Sequence, residues 1–282
     1  MRPRLSPEER RARRQRAMRR SMFVLPSSIT MASIFCGFSS VVMSINAAGA
    51  TPERYFLWAA GLLVLAGVFD GLDGRVARAT NTATEFGVQL DSLADVVSFG
   101  MAPAILAYRY GFFHLGIHDS HLRAAGWAAC FVFTACGALR LARFNIQVGA
   151  VDSRYFVGLP IPAGAACVAA VIIWHPTPPA LATQAYWFAA ELFLLGLLMV
   201  STLRFPSFKK RSSSPRTAMV TSLSVVLLLA LMILFQQRFF IGFFAVYIAG
   251  ALAMNLAWKA GWRGIDPPHD GPDEAEMVQE LL

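Results

Sequence analysis

Four aspartates crowd the stretch DGLDGRVARATNTATEFGVQLDSLAD (Asp70–Asp95), directly after the apolar run YFLWAAGLLVLAGVF. Asp70 and Asp73 are spaced i, i+3, and Asp91 and Asp95 i, i+4, so each pair lies on one face of its own helix. The short link NTATEFG sets the two helices antiparallel, with their carboxylate faces together. Facing carboxylates at membrane depth repel one another unless cations neutralise them. Hard divalent cations with oxygen ligands are the natural solution, and Mg2+ or Mn2+ keeps positions open for water or a substrate phosphate. Two such metals, about 4 Å apart, form a clamp for phosphoryl transfer. Small residues flank the carboxylates: Gly74 follows Asp73, Ala77 lies on the Asp73 face, and Gly87 precedes Asp91 by one turn. They let a pyrophosphate approach the backbone closely, and Arg78 supplies a cation to it. Aspartates that merely cap helix ends and pair with Arg75 and Arg78 would explain two of the carboxylates better than four.

The elements that must hold this cluster are transmembrane helices. Of the 282 residues 56% are hydrophobic and 15% charged, with mean hydropathy +0.51, whereas soluble domains are about 25% charged. The apolar stretches have the length needed to cross about 30 Å of hydrocarbon. Eight spans are expected, near 23–47, 54–77, 91–111, 123–144, 160–175, 184–203, 217–236 and 239–258, in an all-α polytopic membrane protein. The head holds nine arginines and no apolar core before Met22, which argues against a signal peptide. With the N-terminus cytoplasmic, 21 of the 25 Lys and Arg fall on the cytoplasmic side, leaving Arg54, Arg109, Arg123 and Arg238 outside. That bias orients both termini and the aspartate cluster to the cytoplasm.

The net charge of +8 belongs to residues flanking the spans, so it speaks for anionic headgroups and membrane lipid, not nucleic acid. Cys36, Cys130, Cys136 and Cys167 all fall inside apolar segments and read as small packing residues. HLGIHDSH brings His114, His118 and His121 to helical spacing near Asp119, but in a wet loop away from the aspartates; no metal is assigned to it.

Asp70-x2-Asp73-Gly74-x2-Ala77-Arg78-x8-Gly87-x3-Asp91-x3-Asp95 resembles, without gap or substitution, the signature of the CDP-alcohol phosphatidyltransferases. The resemblance implies a six-helix membrane core with a polar cavity open to the cytosol, here followed by two additional C-terminal helices. It implies Asp70, Asp73 and Asp91 as metal ligands and Asp95 as a metal-linked general base. By the same resemblance Gly74, Ala77, Arg78 and Gly87 line the CDP and diphosphate pocket. LPSSIT (Leu25–Thr30) is similar to a Pro-Asn-x-x-Thr element that helps hold the cytidine end, which brings in Pro26, Ser27 and Thr30. Ser27 stands where asparagine is usual, and capping of the first helix explains Ser27 and Ser28 equally well.

Three stretches, VQLDSLADVVSFGMAPA, RLARFN and YFVGLPIPAGAA, resemble the integral-membrane phosphatidylserine synthases within that family. The implied reaction transfers the phosphatidyl group of CDP-diacylglycerol to the hydroxyl of L-serine and releases CMP. Arg140 and Arg143, with a guanidinium fork shaped for a carboxylate, and Asn145 are the expected serine contacts; anchoring to anionic lipid is the other reading of the two arginines. GLPIPAG is expected to break the backbone and expose amides and carbonyls to a small zwitterion. Sibling transferases accepting glycerol 3-phosphate, inositol or choline stay open, as does a divalent-cation transporter, although a polar path through the bilayer is not evident. The expected organisation is a basic cytoplasmic segment at 1–22, the transferase core at 23–208, two further spans within 209–260 and an acidic cytoplasmic tail at 261–282. A bacterial inner (cytoplasmic) membrane and a homodimer are expectations from resemblance.

Overall fold

A computed structural model of the chain describes residues 27–47, 51–79, 84–147, 155–206 and 248–256. These contain α1 (Ser27–Ile45), α2 (Pro52–Ala79), α3 (Glu85–Gly111), α4 (Ser120–Gln147), α5 (Ile161–Trp174), α6 (Ala182–Val200) and a helical stretch at 248–256, α7. Among the described residues α1 to α4 and α6 are long and apolar enough to cross a membrane. α5 is apolar but has 14 residues, about 21 Å at 1.5 Å per residue. The chain is a multi-pass membrane protein. Its one departure from helix and loop, among the described residues, is an antiparallel ribbon of β1 (Tyr155–Val157) and β2 (Arg204–Pro206), with Phe156 opposite Phe205.

The first six expected spans correspond to α1–α6. The expected span at 217–236, most of that at 239–258, the segment 1–22, Pro26 and the tail 261–282 lie outside the described residues. α3 begins at Glu85, six residues earlier than expected, because Thr84 caps it: Thr84 Oγ1 accepts from the Gly87 N–H at 3.1 Å. Asp119 does the same for α4, its Oδ1 accepting from the N–H groups of His121 and Leu122. The aspartate of HLGIHDSH is therefore a helix cap.

α3 lies at the centre. Just after Asp95 it widens into a π turn, Val96–Met101, whose Ser98, Phe99 and Gly100 are buried. Small residues admit the neighbours closely: a Cβ on Gly37 of α1 would stand 2.8 Å from Ser98 Cα, so the two backbones touch with nothing between them. On the other side Phe99, Phe133, Ile161, Leu192 and Met199 form a fully buried layer joining α3, α4, α5 and α6. Phe35, Trp58, Trp127, Phe131 and Trp187 point outward and exposed, the apolar shell of a protein solvated by lipid.

Candidate active site

Asp70 comes from α2, and Asp91 and Asp95 come from the capped first half of α3. One carboxylate oxygen from each lies within 4.8 Å of the others, and all three side chains are half-buried. Asp95 is within hydrogen-bonding reach of Asp70, and the charges of Asp91 and of Arg140 on α4 bear on it. The π turn begins at the very next residue, Val96, a helix irregularity frequent at functional sites. Asp91 and Asp95 keep regular i, i+4 geometry, while the extra residue re-phases the rest of α3 toward the core.

Three carboxylates this close form a hard-oxygen donor set on the scale of one cation's coordination sphere, where ligand bonds run about 2.0–2.6 Å. The donor chemistry fits a divalent cation. Asp73, one turn beyond Asp70, is not in this trio. It is 5% exposed, and its Oδ2 accepts a 2.7 Å hydrogen bond from Thr30 Oγ1 on α1.

The other sequence-derived positions divide. Gly87 lies in the first turn of α3, one turn before Asp91, with its N–H on the Thr84 cap. Gly74 is half-buried next to Asp73, and Ser27 is half-buried at the start of α1. Ala77 and Arg78 belong to the last turn of α2, with side chains outside the described set, as is Pro26. Arg140 is 6% exposed, with its guanidinium 5.2 Å over the Phe144 ring. Arg143 turns elsewhere: Nη1 donates to Val200 O at 3.1 Å, and Nη2 to Ser201 O at 3.0 Å and Val157 O at 3.4 Å. Asn145 Nδ2 donates to Ser92 Oγ at 2.9 Å, tying α4 to the turn that carries Asp91.

The GLPIPAG segment differs from expectation. Gly158 takes φ +77°, its N–H donates to Leu203 O, and the Leu159 N–H donates to Leu198 O. These two amides fasten the segment to Leu198 of α6 and to Leu203 just beyond it, so they are not offered to a ligand. Sequence reasoning also missed Thr84 and Ser92. A polar residue ahead of Glu85 was a readable cap signal for the first; the second is visible only once α4 is set beside α3.

The family model described as CDP-alcohol phosphatidyltransferase matches residues 23–199, from just before α1 to the last turn of α6. The chain belongs to that family. Its similarity to other CDP-alcohol phosphatidyltransferases spans bacteria, archaea and yeast. A Helicobacter pylori protein (strain ATCC 700392 / 26695) is 39% identical over 190 residues, 67% of this chain and 74% of that one. A Methanocaldococcus jannaschii protein is 33% identical over 193 residues, 68% and 78% of the two chains. A Saccharomyces cerevisiae protein is 40% identical over 148 residues, half of each. All three are named CDP-diacylglycerol--serine O-phosphatidyltransferase.

Proposed function

We propose that this chain is a phosphatidylserine synthase, transferring the phosphatidyl group of CDP-diacylglycerol to the hydroxyl of L-serine with release of CMP. The observation that carries the reading is the convergence of Asp70, Asp91 and Asp95 within 4.8 Å, in a family whose similar members bear that activity in their names. Asp70, Asp73, Asp91 and Asp95 would hold two divalent cations, Mg2+ or Mn2+. When bound, these neutralise charge on the diphosphate through the transition state.

The chain's own groups do the rest. The serine hydroxyl oxygen forms a bond to the lipid-side phosphorus, the bond from that phosphorus to the bridging oxygen breaks, and CMP leaves with that oxygen. Asp95 takes the hydroxyl proton, in keeping with its place in the carboxylate trio. Gly74, Ala77 and Gly87 leave room for the diphosphate, Arg78 pairs with it, and Pro26 and Ser27 border the cytidine end. Among Arg140, Arg143 and Asn145, the burial of Arg140 and its charge facing Asp95 favour it as the contact for the serine carboxylate. Arg143 and Asn145 would shape the wall behind it.

Six helices of the core followed by two further spans, with both termini and the aspartates cytoplasmic, fit the distribution of 21 of the 25 basic residues. A homodimer in a bacterial inner membrane, with membrane lipid around it, rests on family resemblance. The test is CMP release by purified protein in detergent micelles with CDP-diacylglycerol and Mg2+, offering L-serine, glycerol 3-phosphate, inositol and choline separately. Serine-dependent release abolished by EDTA is expected. Release with a different alcohol would keep the aspartate site and discard the acceptor; no release by folded protein with any of them would discard the enzyme.

A further inference from the structure

The four expected carboxylates are not held alike. Asp70, Asp91 and Asp95 form the half-buried trio, whereas Asp73 is buried and hydrogen-bonded to a helix that contributes no carboxylate. Thr30 and Asp73 are 6% and 5% exposed, and their 2.7 Å contact joins residues 43 apart in sequence. It is also the first member, along α1, of a short series. One turn deeper, Ser33 Oγ of α1 donates to Ala66 O of α2, and Ser98 Oγ from the π turn of α3 donates to Ser33 O. α1 is thus pinned to both carboxylate-bearing helices at the level where Gly37 lets it lie against Ser98.

We infer that Thr30 is a positioning residue of the metal site, acting through Asp73, and is not a contact for the nucleotide. The inference rests on the reading of Asp73 as a metal ligand. A carboxylate hydrogen-bonded at one oxygen has its rotamer and plane fixed, which decides where its other oxygen can bond. A buried hydroxyl donating to a carboxylate is a charge-assisted bond, about twice as strong as a neutral one. Hydrogen bonds of this kind to ligating carboxylates are commonly worth about 10–100-fold in metal affinity or activity. With its one proton committed to Asp73, the Thr30 hydroxyl could meet a nucleotide only as an acceptor.

The test uses full-length protein in detergent: Mn2+ binding is read by electron paramagnetic resonance titration in the absence of nucleotide, and kcat and KM for CDP-diacylglycerol are measured separately. Thr30→Val keeps the shape and removes the hydroxyl; Thr30→Ser restores a donor. Expected for Thr30→Val is a loss of about 10–100-fold in affinity for one bound Mn2+, with kcat lowered and KM for CDP-diacylglycerol within about threefold. Thr30→Ser returns both Mn2+ binding and kcat to near wild type, and this rescue excludes a general failure to fold. Wild-type Mn2+ binding in Thr30→Val together with a raised KM would overturn the inference and return Thr30 to the nucleotide. Absence of Mn2+ binding by the unsubstituted protein would overturn the metal site itself, and the positioning role with it.

Discussion

Arg143 separates what the motif suggests from what the packing does. In sequence it stands beside Arg140 as a receptor for a carboxylate; in the fold its guanidinium closes the C-terminal end of α6 and reaches β1. Arg143→Met keeps the apolar stem and removes every donor. Two of its bonds, at 3.0 and 3.1 Å, are well formed and the third, at 3.4 Å, is weak. Charged hydrogen bonds contribute about 1.5–3 kcal/mol each. Arg143 is partly exposed, so water takes over part of that, and a net loss of about 2–3 kcal/mol follows. For a unit of about 150–250 residues each kcal/mol moves Tm by about 2–4 °C, so a fall of about 4–12 °C is expected. The assay is thermal unfolding in detergent followed by tryptophan fluorescence, alongside the serine dependence of CMP release. KM for serine should stay within about twofold. An unchanged Tm with KM for serine raised tenfold or more would refute the reasoning and make Arg143 a substrate contact after all.

Two further outcomes follow from the same geometry. Asp95→Ala should remain monodisperse and folded while CMP release falls by about 10²–10⁴-fold, the usual contribution of a positioned proton acceptor; substantial turnover by the purified variant would remove Asp95 from its role. Gly158→Ala should destabilise by about 2–4 kcal/mol, since a side chain at φ +77° is strained and its Cβ would run into Met199 O. Its Tm in detergent, compared with that of a Gly61→Ala control where nothing lies within 4 Å, checks this.

The aspartate trio was legible because its information is local: the i, i+4 spacing of Asp91 and Asp95 and the short link back to Asp70 leave few ways to arrange these carboxylates, whereas Asp73, the i, i+3 partner of Asp70, meets Thr30 instead. The first six helices were legible for the same reason, through apolar length; ends shifted by a few residues, and the six-residue shift at the start of α3 comes where the Thr84 cap extends the helix beyond its apolar run. What could not be read is pairing across the fold. Thr30 meets Asp73 and Asn145 meets Ser92 because of how α1 and α4 lie against α2 and α3, and nothing in either residue's own neighbourhood encodes its partner. Arg143 carried the right chemistry for an anion, yet three nearby carbonyls claim it. The π turn had no clear sequence sign, since VVSFGM reads as ordinary apolar helix.

Asp70 stands eighteen residues from Pro52, where α2 begins, about 27 Å along the helix axis. Against a hydrocarbon slab of about 30 Å, an upright helix entering at Pro52 would bring Asp70 close to the glycerol and ester groups of the opposite leaflet. A donor lipid can therefore react where it already floats. Lifting even ten methylenes of its tails into water would cost about 8 kcal/mol, and this depth makes the excursion unnecessary. Encounter becomes a search in two dimensions, with the lipid product departing sideways into the same leaflet and only the small, water-soluble participants crossing the interface.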